Sequence, residues 1–283
     1  MSLSILTNIS AMQTHSNLLA SSNAVSQSMQ RLSSGLRINN ASDDAAGYAI
    51  SQGLTAQVNG LDQAGRNVGD AVSMVQTAES SMNNIQGMLQ RVRELAVQYQ
   101  NGSLQSSDKT AIQGEVNQLT SEIGRQQGSV QFNGTHLLDG TAGTAGTGVT
   151  FQVGANASDT LTASFGNIET SMGSGFTWGN VNSTTSPVFD LSAGSTLSNL
   201  DTAISNVSSQ AATLGAVQNR LQYATDSITA TKTNLSASNS AIKDIDMAAE
   251  MTKMTQEQIL QQAGTSMLAQ ANSAPQLVLK LLG

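Results

Sequence analysis

LTAQVNGLDQAGRNVGDAVSMVQTAESSMNNIQGMLQRVRELAVQY, residues 54–99, is the stretch that decides the fold. Within it Leu54, Leu61, Val68, Val75, Met82, Leu89 and Ala96 recur every seventh residue, and Ala64, Ala71, Ala78, Ile85, Val92 and Tyr99 form a second row beside them. The pattern returns as Leu200, Val207, Leu214, Leu221, Ile228, Leu235 and Ile242. An apolar period of 3.5 residues specifies helices that supercoil around partners. At 1.5 Å per residue each such helix is roughly 60–70 Å long.

Working outward, residues 3–36 read as a helix with Leu18, Val25, Met29 and Leu32 on its apolar side. Asn8, Ser16, Ser22 and Ser26 thin that stripe, so this helix is expected to order only against a partner. Gly35 and Asn39-Asn40 break it, and Ser42 or Asp43 is expected to cap the next helix. Asn101-Gly102 ends that helix, and a further one from Ser106 to about Gly128 carries Ile112, Val116, Leu119 and Ile123. Alternating β-formers at residues 149–153 and 160–165 predict a hairpin. Residues 169–196, with Trp178 and Pro187, read as a loop with one more strand. A last helix from about Ile245 to Ala274 carries Met251, Met254, Leu260, Met267 and Leu268, and Pro275 is expected to end it before the apolar tail Leu277–Leu282. The element types form a palindrome. Folding the chain back on itself pairs strong heptads with strong and weak with weak, giving two coaxial layers of antiparallel helices.

Composition narrows the function. Only 11% of residues are charged and 3% aromatic, so amides and hydroxyls supply the polar surface, which suits close packing of identical copies. A net charge of −7, with no lysine before Lys109, argues against nucleic-acid binding. The absence of cysteine excludes disulfides and thiolate chemistry. Met1–Ile9 lacks the features of a cleaved secretory signal, and no apolar run approaches the ~20 residues of a membrane span. His15 and His136 have no partners at ligand spacing, and the Gly140–Gly148 tract lacks the Gly-Lys-Ser/Thr of a phosphate loop. Neither an enzyme nor a cofactor is expected. Arg91, Arg93 and Glu94 lie off the heptad seam and face outward, where an i,i+3 ion pair contributes little to stability but a contact site is favoured.

Three long motifs carry a family resemblance: Leu32-Ser-Ser-Gly-Leu-Arg-Ile-Asn-Asn-Ala-Ser-Asp-Asp-Ala-Ala-Gly47, Leu89-Gln-Arg-Val-Arg-Glu-Leu-Ala-Val97, and Ile259-Leu-Gln-Gln-Ala-Gly-Thr-Ser-Met-Leu-Ala-Gln-Ala-Asn272. With Gln131-Phe-Asn-Gly134 and Leu214-Gly-Ala-Val-Gln-Asn-Arg220, the chain resembles bacterial flagellin over residues 1–138 and 211–283. The resemblance implies a mainly α fold. Residues 1–44 with 244–283 would form the terminal-helix coiled coil of the filament's inner tube (D0). Residues 45–243 would form a helical unit (D1) with a β-hairpin region at about 140–196, and no outer D2 or D3 domains.

The implied function is a structural subunit that polymerises into the filament used for motility. It would be exported unfolded through the flagellar type III apparatus to the cell exterior, without a cleaved signal. Implied partners are copies of itself, an export chaperone, the cap and hook-associated proteins, and Toll-like receptor 5. Leu18, Val25, Met29, Leu32, Met251, Met254, Leu260, Met267 and Leu268 are the expected packing residues of the filament core. Leu89, Gln90, Arg91, Leu95 and Glu115 match the family's receptor or subunit contacts, whereas Leu119-Thr120 and Gly53 depart from immune-active members. The competing readings are a hook–filament junction protein and a secreted adhesin or receptor ligand.

Overall fold

The computed structural model describes residues 7–143, 148–172, 189, 191–192 and 196–282, with side chains as far as residue 273 in the last helix. Most of the expected loop and strand at 169–196, including Trp178 and Pro187, lies outside the described residues, as do residues 144–147 of the glycine-rich tract. The chain forms two compact units, Met1–Gln57 with Thr233–Gly283, and Val58–Lys232.

In the first unit, helix α1 (Ile9–Ser34) lies antiparallel to helix α6 (Met247–Leu282). A row of covered positions on α1 runs through Ala11, Thr14, Leu18, Ser21, Val25, Ser28 and Leu32, with Ser22, Ala24 and Arg31 partly covered beside it, and one on α6 through Glu250, Met254, Glu257, Gln261, Gly264, Leu268 and Ala271. Both rows step alternately by three and four residues, the spacing of a coiled-coil seam. The partner that α1 requires is thus α6 of the same chain. Gly264 faces Leu18, where an added Cβ would sit in ordinary van der Waals contact, 3.4 Å from Leu18 Cδ1. Near the other end the Ser28 hydroxyl donates to Glu250 Oε1 at 2.6 Å, both residues being buried.

Gly35 caps α1 in the left-handed conformation (φ 72°), which costs a residue without Cβ little. The chain then pairs briefly with the segment leading into α6. Arg37 N–H donates to Lys243 O at 2.7 Å and Ile245 N–H to Gly35 O at 3.1 Å. Asp44, rather than the expected Ser42 or Asp43, caps helix α2 (Ala45–Tyr99), its Oδ1 accepting from Gly47 N–H at 2.9 Å. Asp43 is occupied differently: its Oδ2 accepts from the N–H groups of Asn39 and Asn40, both at 3.0 Å, and so closes the preceding turn.

Pro275 does not end the last helix, which continues to Leu282. A proline costs a helix the N–H bond to the carbonyl four residues earlier, here that of Ala271. That carbonyl instead accepts from Asn8 Nδ2 at 2.8 Å, so it is not left unsatisfied.

In the second unit the heptad rows form the core. Val75, Met82, Ile85, Leu89 and Val92 of α2 are fully buried with Leu200, Val207, Leu214 and Leu221 of helix α5 (Thr196–Lys243). Helix α3 (Ser106–Ser129) adds Val116 and Ile123. Gln105 and Asp108 form a reciprocal capping box at its start. Each fully buried aliphatic side chain contributes about 1.5–3 kcal/mol.

Strands β1 (Gln131–Phe132) and β2 (Thr135–His136) form a hairpin not anticipated from the sequence. Its turn residues Asn133 (φ 49°) and Gly134 (φ 81°) have the two positive φ angles of the Asn-Gly hairpin turn. The expected hairpin is present as β3 (Val149–Gln152) paired antiparallel with β4 (Thr160–Ala163). Leu161 and Ala163 of β4 turn inward, and a short helix α4 (Ile168–Ser171) follows.

Candidate self-assembly surface

The first unit buries one narrow seam and leaves further large apolar side chains in solvent around both helices. On α1 the exposed members are Ile9, Met12, Leu19 and Met29, with Ile9 at 72% of its free surface. On α6 they are Met247, Met251, Ile259, Leu260 and Met267, the last at 61%. The expected filament-packing residues therefore divide into two groups. Leu18, Val25, Leu32, Met254 and Leu268 are half-buried in the α1–α6 seam, whereas Met29, Met251, Leu260 and Met267 point away from it. The division follows from helix geometry: a single partner helix covers one face, and apolar residues elsewhere around the helix stay exposed. Ile259 and Leu260, with Thr252, Thr255 and Gln256, line a shallow groove of about 430 Å³ on α6. The exposed methionines of α6 and the Gln256 amide can adapt to a neighbour's shape.

In the second unit, Arg91 is held by two carboxylates. Its Nη1 lies 3.1 Å from Glu94 Oε2, and its Nη2 lies 2.9 Å from Glu115 Oε1 on α3. The hydrogen bond to Glu115 and then that to Glu94 raise the guanidinium pKa above its ordinary value. Arg93 reaches the other way, its Nε 2.6 Å from Asp201 on α5. The two arginines tie α2 to both neighbouring helices while remaining about half exposed (50% and 48%). Heptad reading anticipates their outward direction and the Glu94 pair, but a local pattern cannot name partners 24 and 108 positions away.

Gln90 and Glu115 are exposed beside Arg91, whereas Leu89 and Leu95 are buried beneath it at 0% and 2% exposure. These leucines support the surface from below and do not form part of it. A groove of about 490 Å³ between α2 and α3 adjoins the cluster, lined by Asn83, Asn84, Met88, Leu119 and Glu122. Among the described residues no three His, Cys, Asp or Glu side chains are grouped to hold a metal. Among the same residues no helix is long and apolar enough to cross a membrane.

The family model of the bacterial flagellin N-terminal helical region matches residues 5–143, and that of the C-terminal helical region matches residues 197–282. Flagellin of Bacillus subtilis (strain 168) is 41% identical over 298 aligned positions, which cover 97% of this chain and 98% of that one. The flagellar filament 33 kDa core protein of Treponema phagedenis is 40% identical, again over 97% of this chain and 98% of its own. The crystal structure of Bacillus cereus flagellin aligns with a TM-score of 0.49 at 30% identity, over 62% of this chain and 94% of that chain.

Proposed function

The chain belongs to the bacterial flagellin family, and on that premise we propose how its two units serve a filament. The protein is a structural subunit that polymerises into the helical flagellar filament. We assign residues 1–44 and 244–283 to the inner tube as D0, and residues 45–243 to the surrounding D1 layer. Met29, Met251, Leu260 and Met267 are the contacts between neighbouring copies, and Leu18, Val25, Leu32, Met254 and Leu268 hold α1 on α6 within each copy.

The observation that carries this assignment is the number of large apolar side chains exposed on α1 and α6. Exposed apolar surface of this extent marks association. Subunits leave the cell through the flagellar export apparatus with a chaperone and add beneath the cap, beyond the hook-associated proteins. Toll-like receptor 5 reads Gln90, Arg91 and Glu115 on the D1 surface.

Replacing Leu260 and Met267 together by Asp tests the assignment. The monomer should keep its helical circular dichroism and lose all sedimentable filament, because charges would be forced into the contact. Normal filaments from the doubly substituted chain would place the contact elsewhere. Electron micrographs of the unsubstituted polymer distinguish a filament subunit, which forms long tubes, from a junction protein, which forms none.

A further inference from the structure

Asn8 makes two bonds that rarely fall to one side chain. Its Oδ1 accepts from Ala11 N–H at 3.0 Å and caps α1, while its Nδ2 donates to Ala271 O at 2.8 Å on α6. Ala271 is the residue whose carbonyl Pro275 cannot serve, since proline has no N–H to give to the position four before it. A helix normally stops or kinks where such a carbonyl is orphaned, yet α6 runs on to Leu282. The asparagine amide offers an acceptor and a donor from one short planar group, which is what these two orphaned backbone groups require.

We propose that Asn8 is a positioning residue for assembly: by capping α1 and satisfying the carbonyl freed by Pro275, it carries α6 unbroken through the proline and so extends the terminal helix pair that the filament subunit contributes to its polymer. The start of one terminal helix thereby fixes the end of the other. This inference rests on the filament-subunit reading, but the clamp itself can be read without polymerisation.

The test uses the full chain, Asn8→Ser, Pro275→Ala and the double variant. Serine keeps the capping function, being as good an N-cap as asparagine, but its Oγ lies one bond short of the Nδ2 that reaches Ala271 O. Asn8→Ser should raise the critical concentration for polymerisation about two- to tenfold, the worth of one net hydrogen bond. It should speed hydrogen exchange at the amides of residues 276–279 in the filament by a similar factor. With alanine at 275 the helix regains its own N–H for Ala271, so the double variant should lie within about twofold of Pro275→Ala alone.

An Asn8→Ser chain indistinguishable from the unsubstituted one in both measurements overturns the proposal. So does a defect of equal size in the two backgrounds. If the unsubstituted chain does not polymerise, the filament reading fails, while exchange at residues 276–279 of the free chain still decides the clamp.

Discussion

At position 89 and position 91, two residues apart on one helix, opposite physical roles meet. Leu89 is fully buried between α2 and its neighbours, so Leu89→Ala should cost about 2–5 kcal/mol through lost contacts and the cavity left behind. Arg91 is half exposed and tied to Glu94 and Glu115, and exposed pairs of this kind add little stability. Arg91→Ala should leave thermal melting of the monomer unchanged and weaken filament growth or receptor signalling. Melting curves beside the two activity assays separate the roles, and unchanged activities would make the arginine a purely solvated tie.

Asp43 carries a pH dependence. The N–H groups of Asn40 and Asn39 hold its carboxyl below the ordinary aspartate range, with lesser help from Gln27 and Arg31. The folded state therefore favours the charged form, and the resulting stability is complete above the ordinary aspartate value. It is lost as pH falls through the lower folded value, from about pH 4 downward. Asn at position 43 has no such titration, so the melting-temperature gap between Asp43→Asn and the unsubstituted chain should shrink between pH 5 and pH 2. A gap that stays constant over that range would sever the link between this carboxylate and acid sensitivity.

For the elements, register is the central question, because each helix of the α1–α6 pair presents apolar residues on more than one side. The Ser28–Glu250 bond answers it from within the seam. A buried carboxylate needs a donor, and of the α1 positions one heptad either side of Ser28, Ser21 carries a hydroxyl whereas Gly35 carries none, so a slide toward Gly35 is the one the bond forbids. Ser28→Ala leaves Glu250 in that state and should destabilise the helix pair by about 1–3 kcal/mol. Ser28→Ala combined with Glu250→Leu should recover most of that loss, because an apolar pair of similar size replaces the polar one, at the expense of register uniqueness. Hydrogen exchange at α1 and α6 amides reads the first effect. Recovery of stability without recovery of uniform filaments is the outcome expected of the second.

For the whole molecule, the division into two compact units has a direct consequence. Among the described residues, the buried side chains of residues 58–232 come from α2, α3, α5, the β3–β4 hairpin, α4 and the segments between them. Deleting Met251–Gly283 removes most of α6 and its exposed apolar side chains, so polymerisation should cease while the remaining heptad helices keep a cooperative melt. Circular dichroism and sedimentation on the same sample test both halves of that statement. Filaments from the truncated chain would show that the terminal pair is dispensable.

Periodicity alone determined the long helices: rows at spacing seven can be buried only by a helix lying along a partner, so α2 and α5 were legible from Leu54 and Leu200 onward. The β3–β4 hairpin is legible in its alternation, and the dipeptide Asn133-Gly134 is itself the signal of the β1–β2 turn. What only tertiary structure decided lies wherever a local rule met a distant group. Pro275 signals a helix end, and Asn8, on the other terminal helix, overrules it by bonding the carbonyl it frees. Asp43 has a capping side chain, but the turn at Asn39 and Asn40 claims it and leaves α2 to Asp44. Which apolar residues of α6 are covered depends on the face α1 takes, and hydrophobicity alone ranks Met254 and Met267 as equals. Local spacing encodes which conformation a segment prefers. The bonding partner that relieves or redirects that preference comes from a residue far along the chain, and only the folded backbone brings it within reach.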